Sequence, residues 1–190
     1  MDRFKIINET LNGVKLIETK PIIDERGFFQ RLLCSNDFKK IGLEKDIVNI
    51  NHSKTLAMGT IRGMHFQYQP SSEIKIVKCI KGSIFDVVID IRKDSPTFLH
   101  YYGAELSHLN NRMLYIPEGF AHGFQSLQDD TEIIYFVTNY YSSECESGLN
   151  PFDSKIDIKW PLECKNISEK DNNANRINND FNGVDLRNCT

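Results

Sequence analysis

The run Ser83-Ile84-Phe85-Asp86-Val87-Val88-Ile89-Asp90-Ile91-Arg92 decides the fold class. Side chains of an extended chain alternate between two faces. Phe85, Val87, Ile89 and Ile91 therefore form one apolar face, with Asp86, Asp90 and Arg92 opposite. Turn formers bound the run, Lys81-Gly82 before it and Asp94-Ser95-Pro96 after it. The same cadence recurs on both sides. Downstream, residues 98–106, 113–116, 120–127 and 132–138 read as strands, separated by Pro117-Glu118-Gly119 and Asp129-Asp130. Upstream, residues 73–79 follow a turn at Pro70-Ser71-Ser72. Residues 47–53 alternate cleanly, with Asn49, Asn51 and Ser53 on one side and Val48 and Ile50 on the other. Nearer the start, residues 1–20 read as a lead-in and a first strand at 14–19. A turn at Pro21–Gly27 precedes a strand at 28–33, and residues 35–40 offer a capping residue and a short helix ended near Gly42. Short strands with a turn about every ten residues predict a mainly β, antiparallel sandwich or barrel with a few short helices, not a βαβ fold.

At 190 residues the chain suits one domain, with its core at about 13–162 and a polar, asparagine-rich arm over 163–190. A net charge of −3 gives no electrostatic case for a nucleic-acid or membrane partner. No run approaches the roughly 18 apolar residues of a membrane span, and Met1-Asp2-Arg3-Phe4-Lys5 lacks the apolar core of a signal peptide. The five cysteines (Cys34, Cys79, Cys145, Cys164, Cys189) are odd in number and without paired spacing, which predicts reduced thiols and a cytoplasmic protein.

Chemistry concentrates in Ile61-Arg62-Gly63-Met64-His65-Phe66-Gln67. Strict alternation places Ile61, Gly63, His65 and Gln67 on one side and Arg62, Met64 and Phe66 on the other. A lone strand histidine is ordinarily a hydrogen-bonded core residue, so its neighbours must raise it to a site. Gly59, His65, Gln67, Glu73 and Gly82, followed by Pro117-Glu118-Gly119-Phe120-Ala121-His122, resemble the paired motifs of the cupin superfamily of small β-barrels. A metal site built on His65, Glu73 and His122 is weakened because Gln67 stands where metal-binding cupins place an imidazole.

A narrower resemblance runs through several long blocks in order. These are Asp24-Glu25-Arg26-Gly27-Phe28-Phe29, Asn51-His52-Ser53, Arg62–Gln67, Phe85–Phe98, Ile116–Phe124, Tyr135, Asn139-Tyr140-Tyr141, Ile158-Lys159-Trp160-Pro161 and Ser168-Glu169-Lys170-Asp171. Over about residues 13–171 the chain resembles the dTDP-4-dehydrorhamnose 3,5-epimerases. The resemblance implies a metal-free, cofactor-independent isomerase with a cupin-type barrel or jelly roll. Its substrate would be a nucleotide-linked 4-keto-6-deoxyhexose serving deoxysugar, dTDP-rhamnose and lipopolysaccharide O-antigen synthesis. It also implies catalytic roles: His65 as base paired with Asp171, Tyr135 as acid and Lys75 near the enolate oxygen. His122, Arg62, Arg26, Asn49, Asn51, Tyr141, Glu146 and Lys170 fall on positions that bind substrate. Family members are homodimers that exchange N-terminal strands, which would carry Arg26 into the partner's site.

The chain departs from the family at Gln30-Arg31, where a glutamate usually follows the Arg-Gly-x-Phe block, at Asn49, where glutamine is common, and at Glu73-Ile74, where Gln-Gly is usual before Lys75. The first two leave the nucleobase open, dTDP against CDP or GDP. Inversion of carbon 3, carbon 5 or both also stays open, as do a ketoisomerase and a metal cupin. One geometric tension remains: Arg62 and His65 must meet one ligand from opposite faces, which requires a twist or bulge near Gly63.

Overall fold

The computed structural model describes residues 3–186. Strands β1 (Phe4–Thr10), β2 (Val14–Thr19), β3 (Ile22–Asp24) and β4 (Gly27–Phe29) lead into helix α1 (Ser35–Lys39). Then come β5 (Asn49–Thr55), β6 (Thr60–Gln67), β7 (Lys75–Lys81) and β8 (Ser83–Asp90). They are followed by β9 (Tyr101–Ser107), β10 (Arg112–Ile116), β11 (Phe120–Ser126) and β12 (Thr131–Val137). The short strands β13 (Glu146–Gly148) and β14 (Asn166–Ile167) and helix α2 (Glu169–Asn172) end the series.

Two six-stranded sheets make the barrel. One runs β1-β2-β10-β7-β12-β5; the other runs β13-β6-β11-β8-β9, with β14 joined to β6. Apart from the parallel β14–β6 pair, the ladders between named strands are antiparallel. The mainly β, cupin-type antiparallel architecture expected from the sequence is therefore the one observed. Inward side chains of both sheets meet in one apolar core: Leu16, Val77, Leu114 and Ile133 from the first, Ile84, Val88, Leu106 and Phe124 from the second. Each sheet is also covered outside. Phe38 of α1 and Leu43 pack on Ile17, Ile76 and Met113, while Ile156, Ile177 and Val184 of the C-terminal segment pack on Val87, Ile89 and Ile91.

The sequence reading shifts at several points. Asp86 and Asp90 do not face solvent; both are fully buried, because β8 is covered on both faces. The lead-in is the strand β1, whose mostly exposed side chains give no apolar period and whose place is set by its ladder to β2. The strand expected at 28–33 pairs only over Gly27–Phe29, within a hairpin with β3. Beyond it the Gln30 amide bonds to Thr19 Oγ1 and Asn111 Oδ1 instead of extending a ladder. The helix cap differs too: Cys34 holds the N-cap position with no side-chain bond, and Ser35 already lies in the helix. The stretch 98–100 forms turn structure, with Leu99 at φ 63°, so β9 starts at Tyr101.

The bulge needed near Gly63 is present. His122 pairs with His65 and Phe124 with Arg62, so β6 spends one more residue than β11 between the two pairs. The extra residue brings Arg62 and His65 round to the same cavity, while Met64 enters the outer core. Gly63 sits at φ +128°, and a Cβ there would meet Gly123 Cα at 2.5 Å and His122 O at 2.9 Å. Only glycine combines that conformation with so close an approach. Gly63→Ala is therefore expected to cost about 2–4 kcal/mol of folding stability, measured by urea unfolding; a loss below about 0.5 kcal/mol would contradict this reading.

Candidate active site

A cavity of about 460 Å³ opens between the two sheets. Arg62, His65, Lys75, His122, Tyr135, Lys170 and Asp171 line it, with Ser53, Thr60 and Ser168 between them. A second cavity of about 280 Å³ shares His65, Lys75 and Tyr135 and adds Asn49, Asn51, Tyr141 and Glu146. The shared residues make the two a continuous cleft. Among the substrate-side residues expected from the sequence, Arg26 is the exception. It lies on the β3–β4 hairpin with 82% of its side chain exposed, bound to Asp24.

His65 comes from β6, and its Nε2 lies 2.8 Å from Asp171 Oδ1. Asp171 is 6% exposed at its side chain and is held from several directions. Its Oδ2 accepts the Gly63 N–H at 3.0 Å, and its own N–H donates to Oγ of Ser168, the N-cap of α2, at 3.0 Å. Burial raises the Asp171 carboxyl, but the bonds from His65 and Gly63 outweigh burial and hold it below its ordinary value of 3.8. The carboxylate therefore stays ionised beside the imidazole and leaves the other ring nitrogen, Nδ1, free to take a proton.

The depressed carboxyl fixes a pH dependence. Protonation costs more in the folded chain than in the unfolded one, so the contribution to stability is complete above about pH 4 and is lost as pH falls through the folded-state value. Asp171→Asn is expected to be about 1–3 kcal/mol less stable than the parent at pH 7. Urea titrations should show that gap narrowing below about pH 4; a gap constant down to pH 3 would contradict it.

Tyr135 and Lys75 stand on the facing sheet, in β12 and β7. Burial, then the charge of Glu73, pushes the Tyr135 phenol above its ordinary value, with Arg62 opposing. The phenol is thus protonated at neutral pH. Lys75 Nζ lies 3.1 Å from Glu73 Oε1, both side chains largely buried. On β11, His122 Nε2 lies 2.8 Å from Oδ1 of the fully buried Asp86. Asp86 was missed as a site residue because alternation places it only opposite the apolar face of β8 and names no partner for it. The available signal was the cost of an aspartate inside a strand rich in valine and isoleucine, which demands a partner.

Gln67 also gains a role. Its Nε2 donates to Ser71 O and Tyr140 O, and its Oε1 accepts the Ser142 N–H, which ties down the loop carrying Tyr141 and Glu146. Glu146 Oε2 in turn accepts from Tyr141 Oη at 2.9 Å and Lys170 Nζ at 2.7 Å. His65, Glu73 and His122, the donors a metal would use, are engaged separately by Asp171, Lys75 and Asp86. Arg62 differs from the other cations here: the acceptors it meets, Thr55 Oγ1 and Lys54 O, are neutral. Among the described residues no carboxylate lies within ion-pair distance of it, which suits an anionic ligand.

A histidine–carboxylate pair facing a protonated tyrosine and a lysine across one cleft of an antiparallel barrel defines a proton-transfer enzyme of the cupin-like class. The comparisons narrow this. The family model for dTDP-4-dehydrorhamnose 3,5-epimerase matches residues 8–179. The dTDP-4-dehydrorhamnose 3,5-epimerase of Shigella flexneri is 41% identical over 173 residues, covering 90% of this chain and 95% of that one. Among solved structures, the Bacillus anthracis dTDP-4-dehydrorhamnose 3,5-epimerase, with TDP and pyrophosphate bound, is 37% identical with a TM-score of 0.89, covering 92% of this chain and 99% of that one. The Legionella pneumophila dTDP-6-deoxy-D-glucose-3,5-epimerase, in complex with dTDP-4-keto-L-rhamnose, is 35% identical with a TM-score of 0.89, covering 95% and 98%. This chain belongs to the dTDP-4-dehydrorhamnose 3,5-epimerase family, as its sequence blocks led us to expect.

Proposed function

We propose that the protein is a cofactor-independent 3,5-epimerase of a dTDP-linked 4-keto-6-deoxyhexose. The observation that carries this reading is the placement of His65, on one sheet and backed by Asp171 of α2, opposite Tyr135 and Lys75 on the other sheet, across a single cleft. Inversion at a carbon beside a ketone needs a base on one face and an acid on the other, with positive charge at the oxygen where the enolate forms. His65 takes the proton from carbon 3 or 5, and Asp171 stabilises the imidazolium that results. Lys75 stabilises the enolate oxygen, with His122 beside it. Tyr135 returns a proton from the opposite face. Arg62 takes the diphosphate, while Asn49, Asn51, Tyr141, Glu146 and Lys170 line the remainder of the ligand's path.

The assembly is a homodimer exchanging N-terminal strands, with Arg26 completing the partner's site. In support, the β3–β4 hairpin exposes Ile23 by 76% and Phe28 by 72%, and such apolar surface calls for a cover. The enzyme works in the cytoplasm on deoxysugars destined for cell-surface polysaccharide; among the described residues no helix is long and apolar enough to cross a membrane. Arg31, exposed where relatives usually carry a glutamate, favours testing a second reading in which the base is not thymine. NMR of the products from dTDP-, CDP- and GDP-4-keto-6-deoxyglucose tests both. Turnover of the dTDP sugar to the doubly inverted product is expected, and turnover only of a CDP or GDP sugar would overturn the thymidine assignment.

A further inference from the structure

We infer that Glu73 is a positioning residue for the reaction: its carboxylate fixes the Lys75 ammonium on the cleft wall and sets a negative charge beside the Tyr135 phenol. The inference rests on the epimerase reading above and adds a residue to it. Glu73 lies two residues before Lys75, the first residue of β7, and both line the cleft with Tyr135. Glu73 Oε1 and Lys75 Nζ are 3.1 Å apart, with side-chain exposures of 12% and 15%. The backbone between them is clamped. Ile74 N–H donates to Thr138 Oγ1 at 2.9 Å, Ile74 O accepts the Thr138 N–H at 3.3 Å, and the Ile74 side chain is buried in the outer core. The backbone spacing of the pair is thus fixed, and the long, flexible Lys75 stem is held at its tip by the Glu73 carboxylate.

The pair works through preorganisation. A donor already aimed where charge develops needs no rearrangement as the enolate forms. The surroundings of Tyr135 make the charge of Glu73 matter. Facing the cleft are Lys75 and Glu73 at β7, Arg62 and His65 on β6, His122 on β11, Glu146 on β13 with Tyr141 before it, and Lys170 and Asp171 on α2; the β5 residues there, Asn49, Asn51 and Ser53, are uncharged. Burial is the main cause of the raised phenol, and of the nearby charges Glu73 adds to it while Arg62 opposes. A carboxylate near the enolate oxygen also repels it, so the two effects of Glu73 have opposite signs and experiment separates them.

The test compares the parent with Glu73→Gln and Glu73→Asp in pH-resolved kinetics on dTDP-4-keto-6-deoxyglucose, with solvent-deuterium exchange followed in parallel. Glutamine keeps the shape and removes the charge. For it, kcat is expected to fall about tenfold with KM within about twofold, and the alkaline limb of kcat to move about one pH unit lower. Aspartate keeps the charge, so its limb should stay at the parent position. A glutamine variant with unchanged or higher kcat and an unmoved limb would overturn the positioning role while the parent's exchange leaves the epimerase reading intact. A parent that exchanges no substrate hydrogen would overturn both.

Discussion

Changing His65 to alanine is expected to lower kcat by about a thousandfold and to stop exchange of substrate hydrogens with deuterated solvent. The imidazole lines the cleft and is backed by the ionised Asp171 carboxylate at 2.8 Å. Asp171 cannot replace it. That carboxyl is 6% exposed, already accepts the Gly63 N–H, and is held too acidic to make an effective base. The variant also leaves Asp171 short of a partner, costing about 1–3 kcal/mol, so unfolding curves should accompany the kinetics. Exchange within about tenfold of the parent would remove His65 from the role of base.

The second large effect is expected at Tyr135, and it should divide two readouts that His65→Ala loses together. Tyr135→Phe deletes the hydroxyl but keeps the ring that packs against the inner core. Product formation should fall about a hundredfold, because the opposite face loses its proton donor. Exchange should survive within a few-fold, because His65, on the other sheet and backed by Asp171 of α2, still abstracts and returns a proton on its own face. The phenol suits this role because burial and Glu73 keep it protonated at neutral pH. Equal loss of both readouts would count against Tyr135 as a dedicated acid.

How legible all this was depends on whether a residue's place follows from local pattern. The barrel was legible because residues 83–92 and 47–53 alternate and the other short strands are set off by turn formers about every ten residues. Strand β1 was not, since a strand with mostly exposed side chains carries no apolar period. Alternation at Asn49, Asn51 and Ser53 was read correctly but carries no direction; these polar residues turn into the cleft and leave Ile50 64% exposed. Asp171 is the extreme case. It sits in a polar tail, on a four-residue helix placed by the parallel β14–β6 pair and by packing of Ile177 and Val184 on the barrel. No local pattern marks it; only the order of the family blocks did. Asp86 went unseen for the opposite reason, placed by a strong alternation that names no partner for it.

The central claim is a cleft that removes a proton from one side of a keto sugar and returns one from the other. Proton NMR of dTDP-4-keto-6-deoxyglucose incubated with the protein in deuterated water tests it most directly. The account predicts deuterium at carbon 3 and carbon 5, each in a product of inverted configuration. A sugar recovered with both hydrogens in place and both configurations unchanged would contradict it.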